Sequence, residues 1–247
     1  MTIAIIIPAR FESVRLPGKP LALISGKPMI EWVVDSASKA KLANKIIVAT
    51  EDERIFNFVK DNLKADPCMT SKSHKSGTDR VYEVVKKYPD IKYIINFQGD
   101  EPLMPSEYVD KVIKLLVDEK QDMASLIAPM FSIDDLNNPN VVKAVIDKDG
   151  YALYFSRSPI PFNRSESPAN PQSYYRHIGI YGYSREALMH FNSLPPSHLE
   201  QLEQLEQLRA LENGIKIKLD IVPKAYPAVD TVQDIKEVEK ILASLKM

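Results

Sequence analysis

Ile3-Ala4-Ile5-Ile6-Ile7-Pro8-Ala9-Arg10-Phe11-Glu12-Ser13-Val14-Arg15-Leu16-Pro17-Gly18-Lys19-Pro20 stands at the start of the chain. The run from Ile3 to Pro8 is short, unbroken and β-branched, the pattern of a strand buried on both faces. It empties into a loop carrying Arg10, Arg15 and Lys19 against a single acid, Glu12. Lys45–Thr50 and Tyr93–Phe97 repeat the strand pattern. Met29–Leu42, Glu53–Leu63 and Thr78–Lys87 carry apolar residues at helical spacing between them. A helix over 106–118 and a strand at Ala124–Pro129 follow. Such β–α alternation predicts an α/β fold with a mostly parallel sheet covered by helices on both faces. Ligands of these sheets sit beyond the carboxyl ends of the strands, so the loops after strands carry the functional reading.

Beyond residue 130 the rhythm changes. Val141–Asp147 and Tyr151–Phe155 flank Asp149-Gly150, a hairpin signal. A proline-rich stretch from Pro159 to Pro171 reads as a surface loop. Ile178–Tyr183 and Lys216–Val222 read as strands; Arg185–Asn192, Leu199–Glu212 and Thr231–Leu245 read as helices. No linker separates these parts. We therefore expect one domain over 1–247, with 130–195 as an excursion from it. The Leu-Glu-Gln repeat at 199–207 places leucines every three residues, which drifts roughly 60° per step around a helix and is not a heptad seam. The helix it predicts is buried on several sides, which pulls some of its glutamates away from bulk solvent.

With 247 residues, 45% hydrophobic and 26% charged, the composition is that of a globular protein and excludes disorder. A net charge of −1 gives no bulk attraction to nucleic acid or to acidic membranes, so phosphate recognition has to be local. Cys68 has no cysteine to pair with, and no Cys/His spacing resembles a zinc site. Cys68 beside His74 reads as a small buried hydrophobe. The N-terminal apolar run is too short for a signal-peptide core or a membrane span, so a cytoplasmic protein is expected.

Three cations on the proline-stiffened loop after the first strand suit a polyphosphate, although the glycine spacings of a P-loop and of a dinucleotide fingerprint are both missing. A solvated basic loop is the alternative. Gln98-Gly99-Asp100-Glu101-Pro102 sets adjacent carboxylates at a strand end, suited to Mg2+ or equally to a helix dipole. Asp230 lies in Ala228-Val229-Asp230-Thr231, where a capping role for Asp230 or Thr231 competes with a ligand role. His74-Lys75-Ser76-Gly77-Thr78-Asp79-Arg80 enters a helix whose free N–H groups could receive a phosphate or a base edge, or simply be capped. Arg157, Arg176 and His177 could pair with a substrate carboxylate; alone, such residues are as readily structural. No nucleophile–base set of the G-x-S-x-G or H-E-x-x-H kind is present.

Taken together, IIPARFESVRLPGKPL (6–21), GKPMI (26–30), IIVAT (46–50), HKSGTDR (74–80), NFQGDEP (96–102), NPNVVKAV (138–145), GYALYFSR (150–157), RHIGIYGY (176–183), LEQLR (205–209) and VDT (229–231) resemble the 3-deoxy-manno-octulosonate cytidylyltransferase family. The likeness runs in order from end to end. It implies a nucleotide-diphospho-sugar-transferase-like three-layer α/β/α sandwich. It also implies Mg2+-dependent joining of CTP and 3-deoxy-D-manno-octulosonate (Kdo) into CMP-Kdo and pyrophosphate, for lipopolysaccharide assembly. The family usually forms homodimers, which points to 130–195 as the contact region. By the same resemblance Arg10 and Lys19 hold the CTP phosphates with Ser13 and Arg15 in support, and Asp100 and Asp230 bind Mg2+. Ala9, Ser76, Gly77 and Arg80 meet the cytosine and ribose. Gln98, Arg157, His177, Tyr181 and Glu206 surround the sugar acid, leaving other parts to Glu200 and Glu203. Where the family often has Pro-Glu after VDT, this chain has Val232-Gln233, which weakens a helix start. The loop 163–175 suggests no partner. Rival readings are a cytidylyltransferase for 8-amino-Kdo or sialic acid, a nucleotide-binding module without turnover, and a metal-dependent glycosyltransferase. The last would leave the basic LPGK loop without a purpose.

Overall fold

The computed structural model describes residues 1–13, 15–164 and 170–245. In chain order the elements are β1 (Thr2–Pro8), β2 (Leu23–Ile24), β3 (Lys27–Pro28), α1 (Met29–Ala37), β4 (Lys45–Thr50), α2 (Glu53–Asn62), β5 (Asp66–Met69), α3 (Gly77–Lys87), β6 (Ile91–Asn96) and α4 (Ser106–Val117). They continue with β7 (Met123–Pro129), α5 (Ile133–Asn137), β8 (Lys143–Ile146), β9 (Ala152–Ser156), β10 (Tyr175–Ser184), α6 (Arg185–Ser193), α7 (His198–Glu203), α8 (Leu208–Glu212), β11 (Lys218–Ile221) and α9 (Val232–Leu245). The chain forms two compact units, Met1–Ile113 with Tyr226–Met247, and Lys114–Ala225.

In the first unit β6, β1, β4 and β5 lie side by side, all parallel. Ala4 stands opposite Lys45 on one side and Ile94 on the other, so β1 is central, and Ile3 to Ile7 are all buried. Burying such β-branched side chains stabilises by about 1.5–3 kcal/mol each before entropy is set against it. The expected helix from Met29 stops at Ala37, short of Leu42: the chain turns through Lys39 and Ala40, and the Asp110 carboxylate then takes the Lys41 and Leu42 N–H groups at 2.9–3.1 Å. Strand β5 escaped the sequence reading: Asp66-Pro67-Cys68-Met69 is too short and polar for a buried-strand pattern. Its proline suits an edge position, and Cys68 is buried within it. Helix α9 packs Val238 and Leu242 with Ile24, Met29 and Val229, with Trp32 and Leu16 against the cluster. This packing fixes the chain that leads into α9.

In the second unit β7 is flanked by antiparallel β10 and parallel β11, and the β8–β9 hairpin attaches to β10 through β8. The hairpin turns at Gly150, whose φ of +80° is the left-handed region that glycine tolerates. The continuous helix expected over Leu199–Glu212 is corrected to two pieces. Gln204 adopts a left-handed conformation at φ +53° between α7 and α8, so the leucines do not share one helix axis and Leu202 is exposed. Of the proline-rich stretch 159–171, residues 165–169 lie outside the described residues. No helix among the described residues is long and apolar enough to cross a membrane.

Candidate active site

At the carboxyl ends of β1 and β6, a cleft of about 420 Å³ opens in the first unit. The loop after β1 supplies Ala9, Arg10, Ser13, Arg15 and Lys19 to its lining; the loop after β6 supplies Gln98, Gly99 and Asp100, and the start of α3 supplies Gly77. The position follows the general rule for parallel sheets.

The basic loop is held by its own turns. The Gly18 N–H donates to the Phe11 carbonyl at 3.0 Å, and Lys19 N–H to the Leu16 carbonyl at 3.1 Å. Gly18 has φ +69°, and a Cβ there would lie 3.2 Å from the Phe11 ring. This closure aims Lys19 inward: its Nζ donates to Asp100 Oδ2 at 2.6 Å and to Asp230 Oδ1 at 2.9 Å. Burial works against the charged lysine, but the two carboxylates outweigh it and raise its pKa. Arg15 reaches the other Asp230 oxygen at 3.1 Å. Arg10 donates to the His74 carbonyl.

Asp100 and Asp230, remote in sequence, thus meet at one ammonium. The Val229 N–H donates to the Asp100 carbonyl at 2.9 Å, which ties the two loops together. Capping at α9 falls to Thr231 and Asp234: Asp234 Oδ2 accepts from Thr231 N at 2.7 Å and Asp230 N at 2.9 Å. The Asp230 side chain is thereby left to Lys19 and Arg15. Burial opposes ionisation of Asp234, but these donated N–H bonds win and lower its pKa.

These residues fit a Mg2+ ion. Two carboxylates, about a third and two-fifths exposed, already share a cation, the Lys19 ammonium, and oxygen donors are what Mg2+ prefers. Among the described residues no group of three or more His, Cys, Asp or Glu is arranged to hold a metal. A pair suffices for an ion that keeps waters and takes phosphate oxygens as further ligands.

Two glycines set the cleft floor. A Cβ at Gly99 would lie 2.7 Å from the Pro8 carbonyl oxygen, a backbone atom that cannot swing aside, and one at Gly77 would lie 3.3 Å from Pro8 Cγ. Gly99→Ala therefore pries apart the ends of β1 and β6. We expect it to lower stability by about 1–3 kcal/mol, read as a lower Tm in thermal unfolding. An unchanged Tm would show that the two loops do not pack this closely.

The HKSGTDR segment divides its labour. Ser76 caps α3, its Oγ accepting from Asp79 N at 3.1 Å while Asp79 accepts from Ser76 N, so its side chain serves the helix. Gly77 lines the cleft. Arg80 is 1% exposed and outside the cleft lining, with its guanidinium against Glu51 and Thr70. Gln98 lines the cleft and donates to Asn96 Oδ1 at 3.0 Å.

The remaining residues of the sequence reading lie in the second unit. Arg157 spends its guanidinium on backbone: Nε donates to the Glu203 carbonyl at 2.7 Å, Nη1 to Pro139 at 2.9 Å and Nη2 to Gln204 at 3.2 Å. Three of its five N–H donors are thus engaged. Lys143 is fully buried and donates to the carbonyls of Asn138, Val141 and Arg157, stitching the same corner. Glu203 accepts from Ser156 Oγ at 2.5 Å and Arg157 N at 2.9 Å, and Glu200 pairs with Arg209 at 2.5 Å.

His177 stands between Phe155 and Tyr181, with ring centroids 5.0 and 5.2 Å away, and its Nε2 is 3.0 Å from Ser125 Oγ. The residue is half-buried, and burial among these groups, with Arg176 adding to it, pulls its pKa to about 3. Burial, then Tyr183 and Glu206, push the Tyr181 hydroxyl well above its usual pKa, which places Glu206 in electrostatic reach of Tyr181. His177 has a consequence for acid stability. Between pH 6.5 and 3 the unfolded chain takes up a proton that the folded chain refuses, so its contribution to stability is lost as pH falls through that window. The Tm of the wild type should therefore fall relative to that of His177→Gln as pH drops from 7 to 4. A constant difference between the two would place the ring in a wet site.

Glu51, Phe11 and Asp234 were missed in the sequence reading. Glu51 had one signal, its place directly after β4.

Comparison with known proteins agrees with this architecture. The cytidylyltransferase family model matches residues 4–217. The 3-deoxy-manno-octulosonate cytidylyltransferase of Thermodesulfovibrio yellowstonii is 45% identical, over 96% of this chain and 96% of its own. That of Haemophilus influenzae strain PittGG is 46% identical over 98% and 99%. A solved CMP:2-keto-3-deoxy-manno-octonic acid synthetase complexed with CTP superimposes with a TM-score of 0.93 at 39% identity, covering 99% of this chain and all of that one. A 4-diphosphocytidyl-2C-methyl-D-erythritol synthase from Anaerococcus prevotii shares the fold at 17% identity and a TM-score of 0.67. The expected α/β sandwich with its mostly parallel sheet is thus the fold of this chain. The chain belongs to the cytidylyltransferase family, among its 3-deoxy-manno-octulosonate cytidylyltransferases.

Proposed function

We propose that this chain transfers CMP from CTP to the anomeric hydroxyl of Kdo, giving CMP-Kdo and pyrophosphate. The observation that carries the reading is the grip of Lys19 on Asp100 and Asp230 at the edge of a cleft lined by Arg10 and Arg15. A polyphosphate is the anion that needs such a crowd of cations, and paired carboxylates are what its metal needs.

In this account the first unit takes CTP. Arg10 and Lys19 hold the phosphates, and Ser13 and Arg15 steady the loop. The backbone at Ala9 and the Ser76-Gly77 turn meet the nucleoside. Asp100 and Asp230 would hold Mg2+, which supplies Lewis-acid stabilisation of phosphate charge. His177, Tyr181, Glu206 and the Arg157 corner of the second unit recognise the sugar acid. His177, neutral above about pH 3, offers the sugar a hydrogen bond without charge, while Arg157 keeps donors for the carboxylate.

The sugar hydroxyl attacks the α-phosphorus in line with departing pyrophosphate. No covalent enzyme intermediate is needed, in keeping with the missing nucleophile set. Lys19 and Arg10 offset the charge of the triphosphate, so that a second anion, the sugar carboxylate, can approach it. Positioning and electrostatics supply the rate, as in other phosphoryl transfers. We place this chemistry in the cytoplasm, in the supply of lipopolysaccharide sugar. We place a homodimer contact on 130–195, within a single functional domain over 1–247; Phe131, Ile133, Leu153 and Phe162 in that segment are exposed apolar side chains.

The test is the mass of the product after incubation with CTP, Mg2+ and a panel of Kdo, 8-amino-Kdo and sialic acid. A CMP adduct of Kdo is expected. An adduct formed only with another sugar acid would move the specificity, and CTP binding with no adduct would make the chain a nucleotide-binding module.

A further inference from the structure

We propose that Glu51 is a positioning residue for the phosphate-facing loop 10–19, and that Arg80 acts on that loop through Glu51. The proposal rests on the reading that this loop takes the CTP phosphates. Glu51 follows β4 directly and is 9% exposed; its Oε1 accepts the Phe11 N–H at 2.9 Å. Phe11 is the loop's pivot. Its carbonyl accepts Gly18 N–H at 3.0 Å, its ring lies under the Arg54 guanidinium at 3.4 Å, and the same ring backs Gly18. One carboxylate oxygen therefore holds the residue between Arg10 and the turn that aims Lys19.

The other oxygen faces Arg80. Arg80 Nη2 lies 2.8 Å from Glu51 Oε2, close enough for an ion pair although hydrogen-bond alignment is missing, and Nη1 donates to Thr70 Oγ1. Thr70 is itself tied to β4, its N–H and Oγ1 both donating to the Thr50 carbonyl at 2.8 and 3.1 Å. The guanidinium thus stands on a rigid strand pair and fixes the carboxylate in place. A buried carboxylate of this kind is tolerated only with a partner, and Arg80 is that partner. This gives the arginine of the HKSGTDR segment a task it can perform without entering the cleft.

Glu51→Ala alone strands the Arg80 charge, so the decisive comparison is made in an Arg80→Met background, where Glu51→Gln keeps an acceptor for the Phe11 N–H and Glu51→Ala does not. We expect the KM for CTP to be about tenfold higher in the alanine double variant than in the glutamine one, with the KM for Kdo changed by no more than about twofold. A lowered Tm with equal KM values for CTP would show a purely structural pair and overturn the proposal. Amide hydrogen exchange of the ligand-free wild type decides independently of catalysis. The Phe11 N–H should exchange slowly, and rapid exchange would overturn the contact even if CTP proves not to be the ligand.

Discussion

Replacing Asp100 by asparagine should lower kcat/KM for the CTP-dependent reaction by about two to three orders of magnitude while leaving Tm nearly unchanged. The side chain keeps its shape and loses only its charge. The structural tie at this position is made by the Asp100 backbone carbonyl to Val229 N–H, which the substitution does not touch. Lys19 retains Asp230 at 2.9 Å, so the loop stays closed. On the proposed reading, what disappears is one of the two carboxylates that would hold Mg2+. Steady-state kinetics with a parallel thermal melt separates the two effects. Near-normal turnover in a folded variant would remove Asp100 from the metal role.

Lys19→Met should cost a similar two to three orders of magnitude in kcat/KM, with a different accompanying signature. Here the cation proposed to hold the phosphates is lost, and Asp100 and Asp230 lose the ammonium they share. Both carboxylates are a third or more exposed, so solvent screens their repulsion and the stability loss stays at about 1 kcal/mol. The sign of its pH dependence follows from the pKa of Lys19 being raised above 10.5 by its partners. The contribution of Lys19 is fully present below pH 10.5 and is lost as pH rises through the higher folded-state value. Wild type and Lys19→Met should therefore differ in Tm at pH 7 and converge in strong alkali. A Lys19→Met variant with normal KM and kcat would leave the grip on Asp100 and Asp230 as packing alone.

The parallel strands were legible because burial on both faces writes itself as continuous isoleucine and valine runs, and β1, β4 and β6 all carry one. Strand β5 was not, since an edge position asks for little apolar surface and admits Pro67. The helix from Met29 was overrun for a related reason: periodicity continues past Ala37, while the backbone turns through Lys39 and Ala40 and gives its Lys41 and Leu42 N–H groups to Asp110, far along the chain.

At the site, the cations of the LPGK loop and the QGDEP carboxylate could be picked out from their places after strands. The convergence of Asp230 on Lys19 could not, because 211 residues separate them and the competing cap at Thr231 reads equally well. Arg157 shows the converse difficulty. A side chain whose partners are backbone carbonyls leaves no complementary charge in the sequence to announce it. Arg80 was legible as a charged residue of the HKSGTDR segment, but its burial against Glu51 depends on how β4, β5 and α3 pack.

The central claim, CMP transfer from CTP to Kdo, is tested most directly by pyrophosphate release with each component omitted in turn. Release that requires CTP, Kdo and Mg2+ together is the predicted result. A chain that binds CTP and releases no pyrophosphate with Kdo, at any Mg2+ concentration, would contradict it.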